Sequence, residues 1–280
     1  MKILVTGAGG QLALALADEL SGQQLVSVAR SRMDIANLDQ VVEVIETERP
    51  DVVINAAAYT AVDQAESDPN DAYAGNALGP RNLAVATARL GLPLVHVSTD
   101  YVFDGLGTRP YHEFDPTNPR SIYGFSKLAG ELEVRSLNPK HYIVRTAWLY
   151  HTIGQNFPKT MISLSDRAEL KVVSDQYGSP TFAPHLAAAL GKLIETEAYG
   201  TYHMAGQGAT SWFELTQTLF AKLNIDTAVY PVATSDFPRP APRPRYSALT
   251  TMQSPKILLP RWEEGLEEFT RAVKAGTVQV

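Results

Sequence analysis

Lys2-Ile-Leu-Val-Thr6, running into Gly7-Ala-Gly-Gly10-Gln-Leu-Ala13, decides how the rest of this chain is read. Ile3 to Thr6 are apolar or β-branched without interruption, the pattern of a short strand that a parallel sheet buries on both faces. The glycine spacing that follows, G-x-x-G-x-x-A over Gly7, Gly10 and Ala13, suits a tight strand-to-helix turn. Its backbone can approach a pyrophosphate, and the amino end of the next helix attracts the anion. A glycine pattern alone is a weak signal, but between a strand and a helix predicted to about Leu20 it is a strong one. The plain alternative is a glycine-rich turn with no ligand.

Working outward, Leu25 to Ala29 predicts a second strand, whose end chooses between cofactors. An acid there would bind a ribose 2′-hydroxyl. This chain has Ala29-Arg-Ser-Arg32 instead, and two guanidiniums with a hydroxyl, Arg30 foremost, suit a 2′-phosphate. The reading is NADPH, with NADH possible; two ordinary surface arginines are the alternative. Asp34 and Ile35 follow, placed to face an adenine. Asp39 to Thr47 predicts a helix and Asp51 to Asn55 a third strand. The strand opens into Ala56, Ala57, Ala58, Tyr59 and Thr60, where small residues let backbone lie against the cofactor. Asp63 and Glu66 read as helix-capping and solvating acids before they read as substrate contacts. A single long helix is predicted from Pro69 to about Leu90. Asn76 within it faces either the sheet or solvent, as a structural or nicotinamide-side group.

Leu94 to Val97 predicts a fourth strand, which puts the hydroxyls of Ser98 and Thr99 at its carboxyl end, where open α/β sheets bind ligands. Residues 121–135 predict a helix on which Tyr123 and Lys127, i and i+4, share a face. An ammonium beside a phenol favours the phenolate, as an acid/base acting on a carbonyl oxygen requires. With twelve Tyr and nine Lys in the chain, a Tyr-x-x-x-Lys pair arises about 0.4 times by chance, so context carries the assignment. As a solvated helix pair it would be worth only a few tenths of a kcal/mol.

Tyr142 to Thr146 predicts a fifth strand, giving a βαβαβαβαβ order and a doubly wound parallel sheet of the Rossmann kind. Residues 1–150 are read as the dinucleotide-binding domain. Residues 151–280 are read mainly as a smaller C-terminal substrate-binding domain, with some elements packing back on the first sheet. There, Asn156 opens a helix, Lys171 to Val173 and Gly200 to Ala205 read as strands, and His185 to Glu195 as an alanine-rich helix. Ser211 and Glu214 form a capping box at the head of a helix reaching Leu223, and Trp262 to Val273 reads as a last helix. Phe237-Pro-Arg-Pro-Ala-Pro-Arg-Pro-Arg245 is either a polyproline ligand for a partner or an ordered loop. Because structure resumes after it, the ordered loop is preferred, with Arg243 as the diphosphate contact.

At 280 residues, 45% hydrophobic and 19% charged, the composition is that of a globular protein able to bury a full core. A net charge of −6 and a pI near 5.5 leave no basic stripe for nucleic acid. No apolar run approaches the ~18 residues a membrane span needs. Met1-Lys2 leads directly into a strand, with no room for a signal peptide. The absence of cysteine excludes disulfides and thiolate chemistry and fits a cytoplasmic address. The six histidines show no metal-binding spacing, so no metal is expected. Neither a nucleophile elbow nor a P-loop occurs.

Taken together, these segments resemble the extended short-chain dehydrogenase/reductase family, and within it the dTDP-4-dehydrorhamnose reductase branch. The resemblance runs nearly end to end. It is carried by Gly-Gly-Gln-Leu at 9–12, Asn-Ala-Ala-Ala-Tyr-Thr at 55–60 with Ala-Val-Asp-Gln-Ala-Glu after it, and Ser-Thr-Asp-Tyr-Val-Phe at 98–103. It continues in Tyr-Gly-Phe-Ser-Lys-Leu-Ala-Gly-Glu at 123–131, Arg-Thr-Ala-Trp at 145–148 and Asn-Phe-x-Lys-Thr-Met at 156–161. Asp-Gln-Tyr-Gly-Ser-Pro-Thr at 175–181 and Arg-Pro-x-x-Ser at 243–247 complete it. It implies NADPH-dependent reduction of the C4 keto group of dTDP-4-dehydro-L-rhamnose. Thr99 and Tyr123 would bond the keto oxygen, Tyr123 acting as general acid, while Lys127 holds the nicotinamide ribose and lowers the tyrosine pKa. Asp100 and Trp148 would line the sugar pocket; Gln11, Leu12, Asp34, Ile35 and Ala58 to Thr60 would line the cofactor. Members that form a magnesium-bridged dimer use glutamates where this chain has Ala15 and the alanines of 187–189, which implies a monomer or a dimer not bridged by magnesium. Two other readings stay open: a reductase or epimerase of another nucleotide 4-keto-6-deoxysugar, and a non-catalytic NADP-binding regulatory subunit like that beside methionine adenosyltransferase.

Overall fold

A computed structural model describes residues 1–276. Strand β1 (Lys2–Thr6) leads into helix α1 (Gln11–Glu19), β2 (Gln24–Val28), α2 (Leu38–Glu48) and β3 (Val52–Asn55). The short α3 (Val62–Ala65) follows. Next come α4 (Pro69–Tyr73), a π-helical turn over Ala74–Leu78, and α5 (Gly79–Arg89). The helix predicted from Pro69 is therefore interrupted, and the wide turn places Asn76 inward. Strand β4 (Leu94–Thr99), α6 (Ile122–Leu137) and β5 (His141–Thr146) complete the alternation.

The main sheet has six strands, all parallel. One is β10 (Gly200–His203), which arrives late in the chain and pairs with β5; the order across the sheet is β10-β5-β4-β3-β1-β2. The winding direction reverses between β1 and β3, and ligands bind in the crevice such a reversal opens. Alternate side chains build the two layers. Ile3 and Val5 face α1 and a later helix, while Leu4 faces α2, α5 and α6.

Between β5 and β10 the chain leaves the sheet. Strand β6 (Leu149–Tyr150) pairs with β9 (Thr181–Phe182), enclosing α7 (Phe157–Ser163), β7 (Glu169–Val173) and β8 (Tyr177–Gly178). The alanine-rich helix α8 (Ala183–Ile194) returns to pack on α1, with Ala15, Ala187 and Ala189 buried there. After β10 come β11 (Thr210–Ser211), α9 (Trp212–Leu223), β12 (Ala228–Val232) and α10 (Trp262–Lys274). Ser211 caps α9 with Glu214 in a complete capping box. A second apolar core, with Tyr150, Phe182, Leu219, Leu266 and Phe269 among its members, holds this lobe together. Among the described residues, no helix is long and apolar enough to cross a membrane.

Candidate active site

The crevice at the winding reversal is built from its glycine. Gly7 has φ +77°, and a Cβ there would lie 2.9 Å from backbone atoms of Ala57, so the ends of β1 and β3 touch with no room for a side chain. Thr6 fixes the approach: its hydroxyl donates to Asn55 Oδ1 at 2.6 Å and accepts from the Ala57 amide at 3.2 Å. Above this contact opens a cavity of about 370 Å³ lined by Gly7, Arg30, Asp34, Ile35, Ala57, Ala58, Tyr59 and Thr60, all expected to meet the cofactor. Met33, Asp71, Ala74 and Gly75 line it too. The last three come from α4 and the π turn, which a reading as continuous helix gave no reason to place there. A narrow backbone cradle with two flanking arms and a guanidinium at its rim fits a dinucleotide.

Several expected cofactor residues do other work. Gly10 is the N-cap of α1 and gives its amide to the Gly7 carbonyl. The Leu12 side chain is buried in the core, Ala56 packs against the same core, and Gln11 turns to the Gln155 carbonyl and Asn156. Arg32 does not face the cavity; it pairs with Glu48, on which Lys2 also converges. That leaves Arg30, whose side chain is 88% exposed and pairs with Asp34 at 3.2 Å. Asp34 thus braces Arg30 and accepts from the Ala36 amide at 3.0 Å as well as edging the cavity. Asn76 is fully buried and faces neither sheet nor solvent. Its amide holds both Tyr59 backbone groups (2.9 and 3.0 Å) and the Ser126 hydroxyl, a structural role.

At the carboxyl end of β4 the strand's alternation separates two hydroxyls. Ser98 points beneath the site and donates to buried Glu131 at 2.6 Å; Glu131 in turn holds Arg145 through two bonds of 2.9 and 2.7 Å. Thr99 points the other way, accepting from the Tyr101 amide and donating to Asp100 at 3.0 Å, and lies near enough to the Tyr123 phenol to draw its pKa down. Tyr123 is brought there by α6, whose first turn is capped twice, by the Ser121 hydroxyl on the Gly124 amide and by Glu66 on the Ile122 amide at 2.8 Å. Gly124 lets the helix touch the preceding loop, since a Cβ would lie 2.3 Å from the Tyr101 carbonyl oxygen. The Tyr101 ring meets Tyr123 edge-on, centroids 5.4 Å apart.

Burial dominates the electrostatics. It pushes the Tyr123 phenol up to about 12, the Thr99 hydroxyl opposing this and Asp100 adding to it. It pushes Lys127 down to about 8, with Glu131 pulling it back. Lys127 Nζ donates to the Val97 carbonyl at 2.7 Å. The expected lowering of the tyrosine pKa does not show here: burial of the phenol outweighs it, and Lys127, itself destabilised by burial, gives one of its three N–H groups to the Val97 carbonyl. Asp100 rises to about 6 through burial, against the hydroxyls of Ser247 and Thr99. Ser247 was missed as a site residue although it closes the Arg-Pro-x-x-Ser segment.

The remaining expected residues lie beyond β5. Trp148 adopts φ +47° and stacks on Trp212 with centroids 3.4 Å apart and planes within 4°. Trp212 lines a larger cleft of about 740 Å³, together with Phe157, Phe237, Lys171, Arg239 and Arg243. Arg243, the expected diphosphate contact, is one of its lining residues. Asp63, read as a helix cap, instead accepts from the Arg243 guanidinium at 2.8 Å and from the Ala241 amide at 3.2 Å. Among the described residues, no group of three acidic or histidine side chains is placed to hold a metal.

With this geometry in hand, comparison with known proteins is specific. The family profile described as RmlD substrate binding domain matches residues 1–275. A dTDP-4-dehydrorhamnose reductase of Streptomyces griseus is 46% identical over 88% of this chain and 84% of its own. The crystal structure of a dTDP-4-dehydrorhamnose reductase from Clostridium acetobutylicum superposes with a TM-score of 0.95 at 44% identity, covering 98% of this chain and 100% of that one. The Bacillus anthracis dTDP-4-dehydrorhamnose reductase, solved in complex with NADP, gives 0.93 at 44% identity over 96% and 98% of the two chains.

Proposed function

The chain belongs to the RmlD substrate binding domain family, and from that membership we propose that it reduces the C4 keto group of dTDP-4-dehydro-L-rhamnose to give dTDP-L-rhamnose, using NADPH. The observation that carries the reading on this chain is the Thr99–Tyr123 hydroxyl pair at the carboxyl end of β4, on the same edge of the sheet as the Gly7 crevice.

The keto oxygen is placed between the two hydroxyls, where Thr99 orients it and Tyr123 donates the proton. With its pKa near 12 the phenol stays protonated through the neutral range, the state a general acid needs. NADPH, when bound along Gly7, Arg30 and Ala57 to Thr60, supplies the hydride. Lys127 is placed to hold the nicotinamide ribose, and its bond to the Val97 carbonyl fixes its direction. Asp100 accepts the Thr99 proton in the free protein, and that proton turns from the carboxylate to the keto oxygen when the sugar binds. Trp148 bounds the sugar. The nucleotide lies in the cleft of the second lobe, with Arg243 at its diphosphate and Phe157 and Trp212 along the base. In this reading residues 151–280, apart from β10 and α8, are the substrate lobe, and the protein works in the cytoplasm as a monomer or as a dimer without bridging magnesium.

The test is NADPH consumption with freshly prepared dTDP-4-dehydro-L-rhamnose, the sugar product identified by NMR. Turnover to dTDP-L-rhamnose is expected. Tight NADPH binding without turnover would transfer the assignment to another nucleotide 4-keto-6-deoxysugar, and after that to a non-catalytic NADP-binding subunit.

A further inference from the structure

We propose that Asp63 is a positioning residue for the nucleotide sugar: it clamps Arg243, and the proline-arginine segment that carries it, in the orientation that meets the diphosphate. This rests on reading the 740 Å³ cleft as the nucleotide-sugar site. Asp63 lies on α3, directly after the stretch that lines the cofactor cavity, and its partner is 180 residues away in sequence. One carboxylate ties two points of the segment, Oδ1 accepting from the Ala241 amide at 3.2 Å and Oδ2 from Arg243 Nη2 at 2.8 Å. Arg243 Nη1 closes the turn on the Ala241 carbonyl at 3.2 Å, and Arg239 adds a looser ion pair to Asp63 at 3.9 Å.

Two features separate this from an ordinary surface ion pair. First, the side chains are largely sheltered, 19% exposed for Arg243 and 30% for Asp63, so solvent screens the pair only partly. Second, a guanidinium has five N–H donors. The contacts with described residues use two, on Nη1 and Nη2, which leaves Nε and one hydrogen on each terminal nitrogen for a ligand. Asp63 therefore orients the arginine without consuming it, which distinguishes a clamp from a competitor for the same charge. The residue that ends this short helix also reaches the catalytic helix, because Glu66 caps α6 at Ile122. Asp63 on α3 and Glu66 at its end thus set the arginine segment and the start of the Tyr123 helix in one frame. The charges of both Arg243 and Asp63 are felt at Tyr101, the ring packed edge-on against Tyr123.

The experiment compares Asp63→Ala, Asp63→Asn, Arg243→Met and the Asp63→Ala/Arg243→Met double variant. Steady-state kinetics with NADPH and dTDP-4-dehydro-L-rhamnose are run beside calorimetric titration with dTDP alone. Asp63→Ala is expected to raise the sugar-nucleotide KM and the dTDP Kd by roughly tenfold. Its kcat should stay within about threefold and its NADPH affinity should not change. Asp63→Asn, whose amide oxygen still accepts from the Ala241 amide, should recover part of the loss. In the Arg243→Met background Asp63→Ala should add nothing further. An unchanged or tighter dTDP Kd in Asp63→Ala, a fall in kcat with KM unmoved, or the full loss reappearing without Arg243 would each overturn the clamp while leaving the reaction assigned above intact. A native enzyme that binds no dTDP would overturn the reading of the cleft and the clamp with it.

Discussion

Gly124→Ala is the smallest change that tests whether the Thr99–Tyr123 pair is set by backbone contact. The added methyl would lie 2.3 Å from the Tyr101 carbonyl oxygen and 3.0 Å from Pro119 Cβ. The Tyr101 backbone cannot yield easily, because it belongs to the turn that Thr99 itself caps through the Tyr101 amide. Helix α6 must therefore retreat by about 0.7 Å to restore 3.0 Å, and by about 1.1 Å to reach the ordinary contact distance of 3.4 Å. Tyr123, the preceding residue, moves with it and leaves the hydroxyl of Thr99. A misplacement of about 1 Å costs on the order of 10²-fold in rate, and overpacking of this kind about 1–3 kcal/mol in stability. The expected result is a kcat lowered about a hundredfold, NADPH affinity largely kept because the Gly7 crevice is untouched, and a Tm lowered by several degrees. Stopped-flow nicotinamide absorbance, fluorescence titration and thermal melts measure the three. Gly22→Ala, where an added Cβ meets nothing within 4 Å, serves as the silent control. A Gly124→Ala enzyme with kcat within threefold of native and an unshifted Tm would refute the argument.

Tyr123→Phe should lower kcat by roughly 10²-fold or more while NADPH still binds, since it removes the acid and little else; unchanged turnover would take Tyr123 out of the mechanism. Arg30→Ala should weaken NADPH roughly tenfold and NADH hardly at all, because Arg30 is the arginine at the cavity rim; equal losses for both cofactors would show that it does not read the 2′-phosphate. Asp100, raised to about 6 by burial, keeps a proton in the folded state that the unfolded chain gives up near 3.8. Its contribution to stability is full below about pH 3.8 and is lost as pH rises through about 6. Urea midpoints of the native protein relative to Asp100→Asn should therefore fall across that window, and a flat difference would contradict the assignment.

The parts of this molecule that were legible in its sequence are those where cause and effect are neighbours. The strand–glycine–helix opening, the capping box of Ser211 and Glu214, and the hydroxyls at the end of β4 each depend on a few adjacent residues with one steric solution. The parts that were not legible depend on partners far away. Nothing near Asp63 announces Arg243, and a carboxylate at a helix start is a cap by default. The six-residue run of β4 does not declare which of Ser98 and Thr99 faces the ligand; α6 decides that by bringing Glu131 under one and Tyr123 over the other. The π turn at Ala74–Leu78 preserves helical composition while shifting the register, so a 3.6-residue period passes over it unnoticed. The lysine–tyrosine relation is masked for an electrostatic reason: adjacency on a helix face brings two groups near each other, but burial outweighs the pull of one charge on the other.

The return of β10 to the edge of β5 has a consequence during synthesis. Until residues 200–203 leave the ribosome, β5 is an open edge, a row of backbone donors and acceptors beside Ile143 and Val144 with no partner. Translation at about 5–20 residues per second keeps that edge bare for roughly 3–11 s after Thr146 emerges. A nascent chain stalled in this interval carries a nearly finished sheet with an adhesive margin. The first lobe is therefore not a unit that can be released early, and the stretch from β6 to β9 is made inside the time that the first lobe waits for its last strand.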